Sequence, residues 1–285
     1  MKTCQQLLFS VMAVLPLMGH SQVSPPAQAR ASAPVPAASA ATTGSLHPWQ
    51  AVPPQSTAEA YFTNLQDGAR IETPYLATFG LTGGWGLAPI AKPVTGKGGH
   101  HHLLVNRDLP LDFKKALPFN DQYIHFGKGQ MESALTLEPG EYQLRLLLAD
   151  DKHLPHFVYS KPVKITVTGK NKGVDPLTLV KKGITLKNVP ADGKLGALFK
   201  VQFHASGLNV AHLSQAEKDS GHFKLTISPQ AGGKPAELDF VNGQTEVWLS
   251  PPPGAYTLKL ELVDNVNPGK TLADAVSAQV RVQAP

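Results

Sequence analysis

Cysteine is almost absent from this chain. The single cysteine, Cys4, lies ahead of an apolar N-terminal run, so the rest of the chain has no disulfide, no thiolate ligand and no cysteine nucleophile. Blue-copper sites need a cysteine ligand and are excluded, and structural zinc sites, which usually use several cysteines, are disfavoured. Any metal site must therefore be built from imidazoles, with one carboxylate at most.

Methionine and the motifs of common enzymes are also scarce. Three of the four methionines precede residue 19, which excludes a methionine-rich Cu(I) site. The sequence contains no GxSxG, HExxH, phosphate-loop or dinucleotide-binding pattern. Glu132 and Asp121 are the only acids near the histidines that we consider as catalytic bases. Catalysis is therefore not favoured, although the sequence leaves the question open.

A concentrated positive surface is missing too. The formal net charge is +5, but the lysines are scattered and do not interleave with aromatic residues. This pattern is typical of a mildly basic protein surface, so we expect no nucleic-acid partner.

The N-terminus has the pattern of a secretory signal. Lys2 precedes an apolar run from Leu7 to Met18, which is too short to span a bilayer, and Gly19-His20-Ser21 offers a cleavage site. We predict a signal peptide over residues 1–21, a periplasmic or secreted location and no membrane span. Residues 22–57 are rich in Pro, Ala and Ser and predict a disordered linker, with His47 and Trp49 as solvated tail residues.

The rest of the chain contains an internal repeat. The segment from Gly129 matches the segment from Gly243, and GHHHLLV from Gly99 matches GHFKLTI from Gly221. Both copies show short alternating runs separated by Gly and Pro turns. This predicts an all-β chain with two tandem immunoglobulin-like β-sandwich domains over 58–168 and 183–285, joined by a linker over 169–182.

Histidines are the most informative residues of the first copy. Six of the eleven lie between residues 100 and 156. On a strand, His100 and His102 share one face, roughly 6–7 Å apart, whereas His101 falls on the core face as a buried, hydrogen-bonded histidine or a ligand. His125 lies before a glycine-flanked turn, and a further pair stands in DDKHLPHF.

The second copy serves as an internal control. It has Phe223 where the first has His101, and our alignment places Asn267 and Lys270 opposite His153 and His156. Loss of histidines on a retained scaffold favours a functional cluster in the first copy. The predicted metal ligands are His100, His102, His125, His153 and His156.

Other candidates are weaker. Asp150 and Asp151 can act as a ligand or orient an imidazole, but Asp264 repeats Asp150 without the histidines, which favours a turn-forming role for Asp150. His204, His212 and His222 lack a tight motif and make a poor second site.

At these residues the chain resembles a family of bacterial exported domains of unknown function. The shared motifs are GHHHLL, HFGKGQ and DxxHxPH, and the resemblance covers about residues 62–168; the second copy, about 184–283, is similar only in scaffold. The resemblance implies a small exported β-sandwich and no established reaction. Its motif positions here are His100, His101, His102, His125, Lys128, Gly129, Gln130, His153 and His156.

The sequence thus predicts an exported protein that binds a divalent transition metal, Cu(II) in preference to Zn(II), for sequestration or delivery. The second domain is expected to be a spacer or docking partner. Two alternatives remain open: a non-metal module that binds glycan or protein of the cell envelope, and a metal-dependent enzyme.

Overall fold

The computed structural model describes residues 46–52, 54, 57–88, 96–109 and 112–285. The predicted signal peptide, and most of the predicted linker that follows it, lie outside the described residues. Ser45–Pro285 forms one compact unit. It contains two tandem β-sandwiches, which we call the first and second domains.

The first domain consists of a three-stranded and a seven-stranded sheet packed face to face. The smaller sheet has the order β1-β3-β7 and the larger β2-β10-β8-β5-β4, with β6 added to β5 and β9 added to β8. The strands are β1 (Ala60–Phe62), β2 (Ala69–Thr73), β3 (Tyr75–Leu81), β4 (Gly86–Leu87), β5 (Gly98–Val105), β6 (Tyr123–His125), β7 (Glu132–Leu135), β8 (Gly140–Ala149), β9 (Pro155–Tyr159) and β10 (Val163–Lys170).

The second domain repeats this plan after a short 3₁₀ turn at Pro176–Leu179. Its sheets have the orders β11-β13-β17 and β12-β19-β18-β15-β14, with β16 added to β15. The strands are β11 (Gly183–Lys187), β12 (Lys194–Leu195), β13 (Phe199–Ser206), β14 (Asn209–Val210), β15 (Ser220–Pro229), β16 (Ala236–Asp239), β17 (Glu246–Leu249), β18 (Gly254–Asp264) and β19 (Val276–Val282). The prediction of two tandem immunoglobulin-like β-sandwich domains is confirmed.

Strand register confirms the central match between the copies. His101 lies opposite Leu148 on β5 and β8, and Phe223 lies opposite Leu262 on β15 and β18. The alternating leucines of β8 and β18 face the core because successive side chains of a strand point to opposite faces. Each buried leucine contributes about 1.5–3 kcal/mol to folding.

After the Asp150 and Asp264 turns, the sequence alignment of the two copies differs from the structural alignment by two residues. Ala149 pairs with Pro155 in the first domain, whereas Val263 pairs with Thr271 in the second, whose loop is longer. His156 therefore corresponds to Leu272 and not to Lys270. A gapless comparison could not detect this insertion, because both loops begin with the same Asp-led turn.

The outer face of β5 is covered as completely as its core face. All eight residues of this strand are buried. Leu104, Leu117, Leu147 and Ala149 form a second, smaller apolar cluster, against which Leu109, Phe113, Tyr123 and Tyr159 pack. The segment between β5 and β6 thus shields the face that carries His100 and His102, which strand periodicity alone did not predict.

Residues 46–52 pack on the second domain. Gln50 forms a β-bridge with Leu249, and the Trp49 ring lies edge-on to Tyr256 with a centroid separation of 5.6 Å. The expectation that Trp49 is a solvated tail residue is therefore wrong, because its ring finds an apolar neighbour.

Helices contribute little to the part of the chain that the structure describes. Within it, no helix combines the length and the apolar character needed to cross a bilayer.

Candidate metal centre

Three elements of the first domain bring four histidines together. His100 and His102 share the outer face of β5. His125 ends β6 and pairs directly with His102 in the antiparallel register. His153 belongs to the turn between β8 and β9. We call His100, His102, His125 and His153 the histidine quartet.

The quartet has the spacing of a ligand set. One ring nitrogen from each histidine lies within 4.8 Å of the other three, and no other group of three or more potential ligands meets this description among the described residues. The Nε2 atoms of His125 and His153 are 3.2 Å apart. Two nitrogens bound to one tetrahedral zinc ion are separated by about 3.3 Å, so rotations that move the nitrogens by about 1 Å or less would close the set around an ion.

His100 and His102 are buried, and three of their four ring nitrogens have no hydrogen-bond partner among the described residues. His100 is 0% exposed and His102 is 1% exposed. Both ring nitrogens of His100 and the Nδ1 of His102 are buried without a hydrogen-bond partner among the described residues. Such unpaired groups cost about 1–3 kcal/mol each, so this arrangement needs an explanation beyond packing.

The same burial keeps these imidazoles neutral. Desolvation, followed by the neighbouring histidines, lowers the pKa of His100 to about 2 and that of His102 to about 3. Desolvation and then His153 lower the pKa of His125. Neutral imidazole is the form that binds metal, because its lone pair is free. Little proton competition is therefore expected at neutral pH.

The other side of the quartet faces the solvent. His125 and His153 are only partly buried. Phe119, with 64% of its surface exposed, contacts both rings, at centroid separations of 5.2 Å and 4.6 Å. Among the described residues, the side with His125, His153 and Phe119 is the exposed side of the quartet, whereas the β5 side is buried.

Gly127 makes room for the His125 ring. A Cβ atom at this position would lie 2.3 Å from Cε1 and 2.4 Å from Nε2 of His125. The glycine two residues after the histidine in HFGKGQ therefore has a local steric reason, and sequence reasoning had given it no role in the site.

A strained turn presents His153. Its φ angle is +63°, in the left-handed region, where a non-glycine residue costs about 1–2 kcal/mol. The Asp150 carboxylate stabilises the turn by accepting hydrogen bonds from the backbone N–H groups of Lys152, at 2.9 Å, and Leu154, at 2.8 Å. Asp150 thus forms the turn, as its counterpart Asp264 had indicated.

Two histidines of the motif lie outside the quartet. His156, a predicted ligand, packs its ring on Trp85 at 4.6 Å, and its Nε2 lies 3.2 Å from the Gly98 carbonyl oxygen. His101 points into the core against Phe79, at 5.5 Å. The expectation of a hydrogen-bonded core histidine is only half right: His101 is fully buried, but neither ring nitrogen has a partner among the described residues.

The acids considered as catalytic bases have no place in the quartet. Glu132 is buried between the domains and accepts hydrogen bonds from His204 Nε2, at 3.0 Å, and Ser206 Oγ, at 2.8 Å. Its role is therefore structural. Asp121 is exposed on the loop before β6.

The histidines of the second domain do not form a site together. His204 is engaged by Glu132, and His212 Nδ1 lies 2.8 Å from Ser214 Oγ. His222 occupies the position equivalent to His100. Each of these histidines has its own partner, so they do not come together as the second metal site that the sequence had suggested weakly.

The position equivalent to His100 shows what replaces the quartet in the second domain. His222 Nδ1 lies 2.6 Å from Asn265 Oδ1, and its Nε2 lies 3.1 Å from Asp239 Oδ1. Asn265 directs its NH₂ group to backbone oxygens, including that of His212, which fixes its oxygen toward His222. Both ring nitrogens face acceptors, which favours the doubly protonated ring at this position of the second domain. At the equivalent position of the first domain, desolvation favours the neutral ring of His100.

These features define the class of the molecule: an all-β protein of two sandwiches whose first domain carries a histidine cluster that can hold a metal. The chain belongs to the family described as Domain of unknown function (DUF4399), whose model matches residues 77–168 and 201–283. The prediction of a domain-of-unknown-function family with two tandem copies is confirmed.

Comparison with other proteins adds little about function. No curated protein matches the chain. Similar solved structures include fibronectin(III)-like modules of Clostridium thermocellum CbhA (13% identity, 79% of this chain, 94% of that chain, TM-score 0.25). A two-domain fibronectin type III segment of chicken tenascin is also similar (14% identity, 79% of this chain, 98% of that chain, TM-score 0.23). The same holds for chicken CNTN1 FN1-FN3 domains (10% identity, 79% of this chain, 67% of that chain, TM-score 0.24). These TM-scores are too low to bear on function.

Proposed function

We propose that this protein is an exported metal-binding protein that sequesters or delivers a divalent transition metal at the histidine quartet. The observation that carries the proposal is the convergence of four ring nitrogens within 4.8 Å, two of the rings being fully buried. A shared metal ion would give the buried nitrogens of His100 and His102 a partner that the described residues do not supply. The proposed periplasmic or secreted location rests on the signal-like N-terminus alone.

The donor set favours copper over zinc. Four imidazoles without thiolate or carboxylate suit Cu(II), Zn(II) and Ni(II), and the affinity of a given nitrogen site is normally greatest for Cu(II). A neutral ligand set leaves the ion with its full positive charge. Four protein ligands also complete a tetrahedral or square-planar shell, which leaves no open position and favours storage or transfer over catalysis.

Metal binding is tested with the purified full chain. We expect one tight Cu(II) ion per chain by calorimetry and elemental analysis, and weaker Zn(II) binding. His125→Ala and His153→Ala remove partly exposed rings, so the fold should persist while affinity falls by at least about 100-fold, more than the usual effect of an outer partner.

His156→Ala is the matched control. This histidine lies on β9, three residues after His153 but outside the quartet, so its variant should bind like the original protein. Equal loss in all three variants would mean that the quartet is not the site. Absence of tight binding in the original protein would favour the glycan- or protein-binding alternative.

A further inference from the structure

The two domains meet through a reciprocal backbone contact. Leu87 of the first domain donates its N–H to the carbonyl oxygen of Gly243 at 2.8 Å. Val210 of the second domain donates its N–H to the carbonyl oxygen of Gly129 at 2.9 Å. We call these four residues the domain seam.

The seam residues are equivalent in pairs. Leu87 pairs with Gly99 beside β5, and Val210 pairs with Gly221 beside β15. Gly129 and Gly243 open the matching GQ segments of the repeat. Each domain thus offers the same strand and the same glycine to the other, as two subunits do across a two-fold axis.

Only glycine fits at the seam position that follows the histidine motif. Gly129 has a φ angle of +87°, and a Cβ atom there would lie 2.0 Å from the Val210 carbonyl oxygen. That oxygen belongs to the backbone of the second domain and cannot swing aside. The GKGQ part of the motif is therefore in contact with the second domain. Its position close to His125 in sequence does not indicate this role.

A short path connects Gly129 with the quartet. The Gly129 N–H bonds to the Phe126 carbonyl oxygen at 3.2 Å, and the Phe126 N–H bonds to the His101 carbonyl oxygen at 3.0 Å. This tight turn also holds Gly127 against the His125 ring. A displacement of Gly129 must therefore move the turn that sets the position of that ring.

A second path leads to β5. The Leu87 carbonyl oxygen accepts the N–H of His212 at 2.9 Å, so the second domain holds Leu87 by both of its backbone groups. The next residue, Ala88, donates its N–H to the Gly99 carbonyl oxygen at 2.7 Å, directly before His100. The second domain thus supports β5, which carries His100 and His102, and the turn after β6, which carries His125.

We infer that the second domain is part of the scaffold of the metal centre, and that Gly129 and Val210 are positioning residues for His125. This inference deepens the proposed function and rests on it for its metal-binding consequence. It gives a specific task to the domain that the sequence predicts as a spacer or docking partner. The domain that lost the ligands retains the surface that aligns them in its neighbour.

The test compares Gly129→Ala with Gly68→Ala in the full chain. Both glycines have positive φ angles, but a Cβ at Gly68 would meet nothing within 4 Å. We expect Gly129→Ala to weaken Cu(II) binding about 10–100-fold, the usual effect of losing an outer support. It should also alter the electron paramagnetic resonance spectrum of bound Cu(II), which a merely structural role would not do. Gly68→Ala should change neither.

Two further measurements keep the inference falsifiable. If Gly129→Ala does not fold, Ser206→Ala replaces it, because this milder change removes one hydrogen bond to Glu132 across the same interface. If the original protein binds no Cu(II), the proposed function fails, and imidazole NMR signals of His125 in the metal-free protein decide the positioning role. Unchanged His125 signals and affinity in folded Gly129→Ala, or in Ser206→Ala if Gly129→Ala does not fold, would overturn it.

Discussion

Replacing His100 with leucine should stabilise the metal-free protein while removing its response to metal. His100 is 0% exposed, and both of its ring nitrogens are buried without a partner among the described residues. Leucine has a similar volume and no polar atom to desolvate. A buried unpaired polar group costs about 1–3 kcal/mol, so the variant should gain about that much stability. For a folded unit of this size, Tm should rise by about 2–4 °C per kcal/mol.

His222→Leu is the matched control, and it should change the free energy of unfolding in the opposite direction. This residue occupies the equivalent strand position, but Asp239 and Asn265 bind both of its ring nitrogens. Its removal leaves those partners without their bonds and should destabilise the protein by about 1–3 kcal/mol. The pair of variants separates the effect of an unpaired ring from the effect of any large change on this strand.

The assay is urea or thermal unfolding with and without Cu(II). At a free metal concentration of 100 times Kd, the original protein should gain about 2.7 kcal/mol, whereas His100→Leu should gain almost nothing. Two results would contradict this prediction: metal-free His100→Leu is less stable than the original protein, or metal still stabilises the variant fully. The first result would make His100 a packing residue, and the second would place the metal elsewhere.

Two more predictions follow from the geometry. Gly127→Ala should displace the His125 ring and weaken Cu(II) binding about 10-fold or more; calorimetry checks this, and unchanged affinity would mean that the ring has room to move. Burial lowers the pKa of His222, but its bonds to Asp239 and Asn265 raise that pKa above 6.5 overall. Its stabilisation is therefore complete below pH 6.5 and lost as the pH rises through the raised pKa. The free energy of unfolding should fall over this range, and less steeply in His222→Leu; equal slopes would contradict the assignment.

Local pattern was a good guide to the strands and a poor guide to loops. Alternation of leucines located β8 and β18, and the His101–Phe223 match followed from strand parity. The two-residue insertion before Thr271 had no such signal, because turns lack a side-chain period. Sequence proximity likewise did not show that His156, on β9 close to His153, lies against Trp85 and outside the quartet.

The amino-acid sequence by itself determined the fold class, the duplication and the kind of metal chemistry available. Period-2 hydrophobicity and missing thiols are local or compositional properties, and they need no tertiary contacts to act. Only the folded structure decided which imidazoles meet, since distant strands and a turn approach each other through packing of the whole sheet. It also decided the neutral state of His100 and the bracing by the second domain, because desolvation and contacts between domains depend on what covers a residue in space.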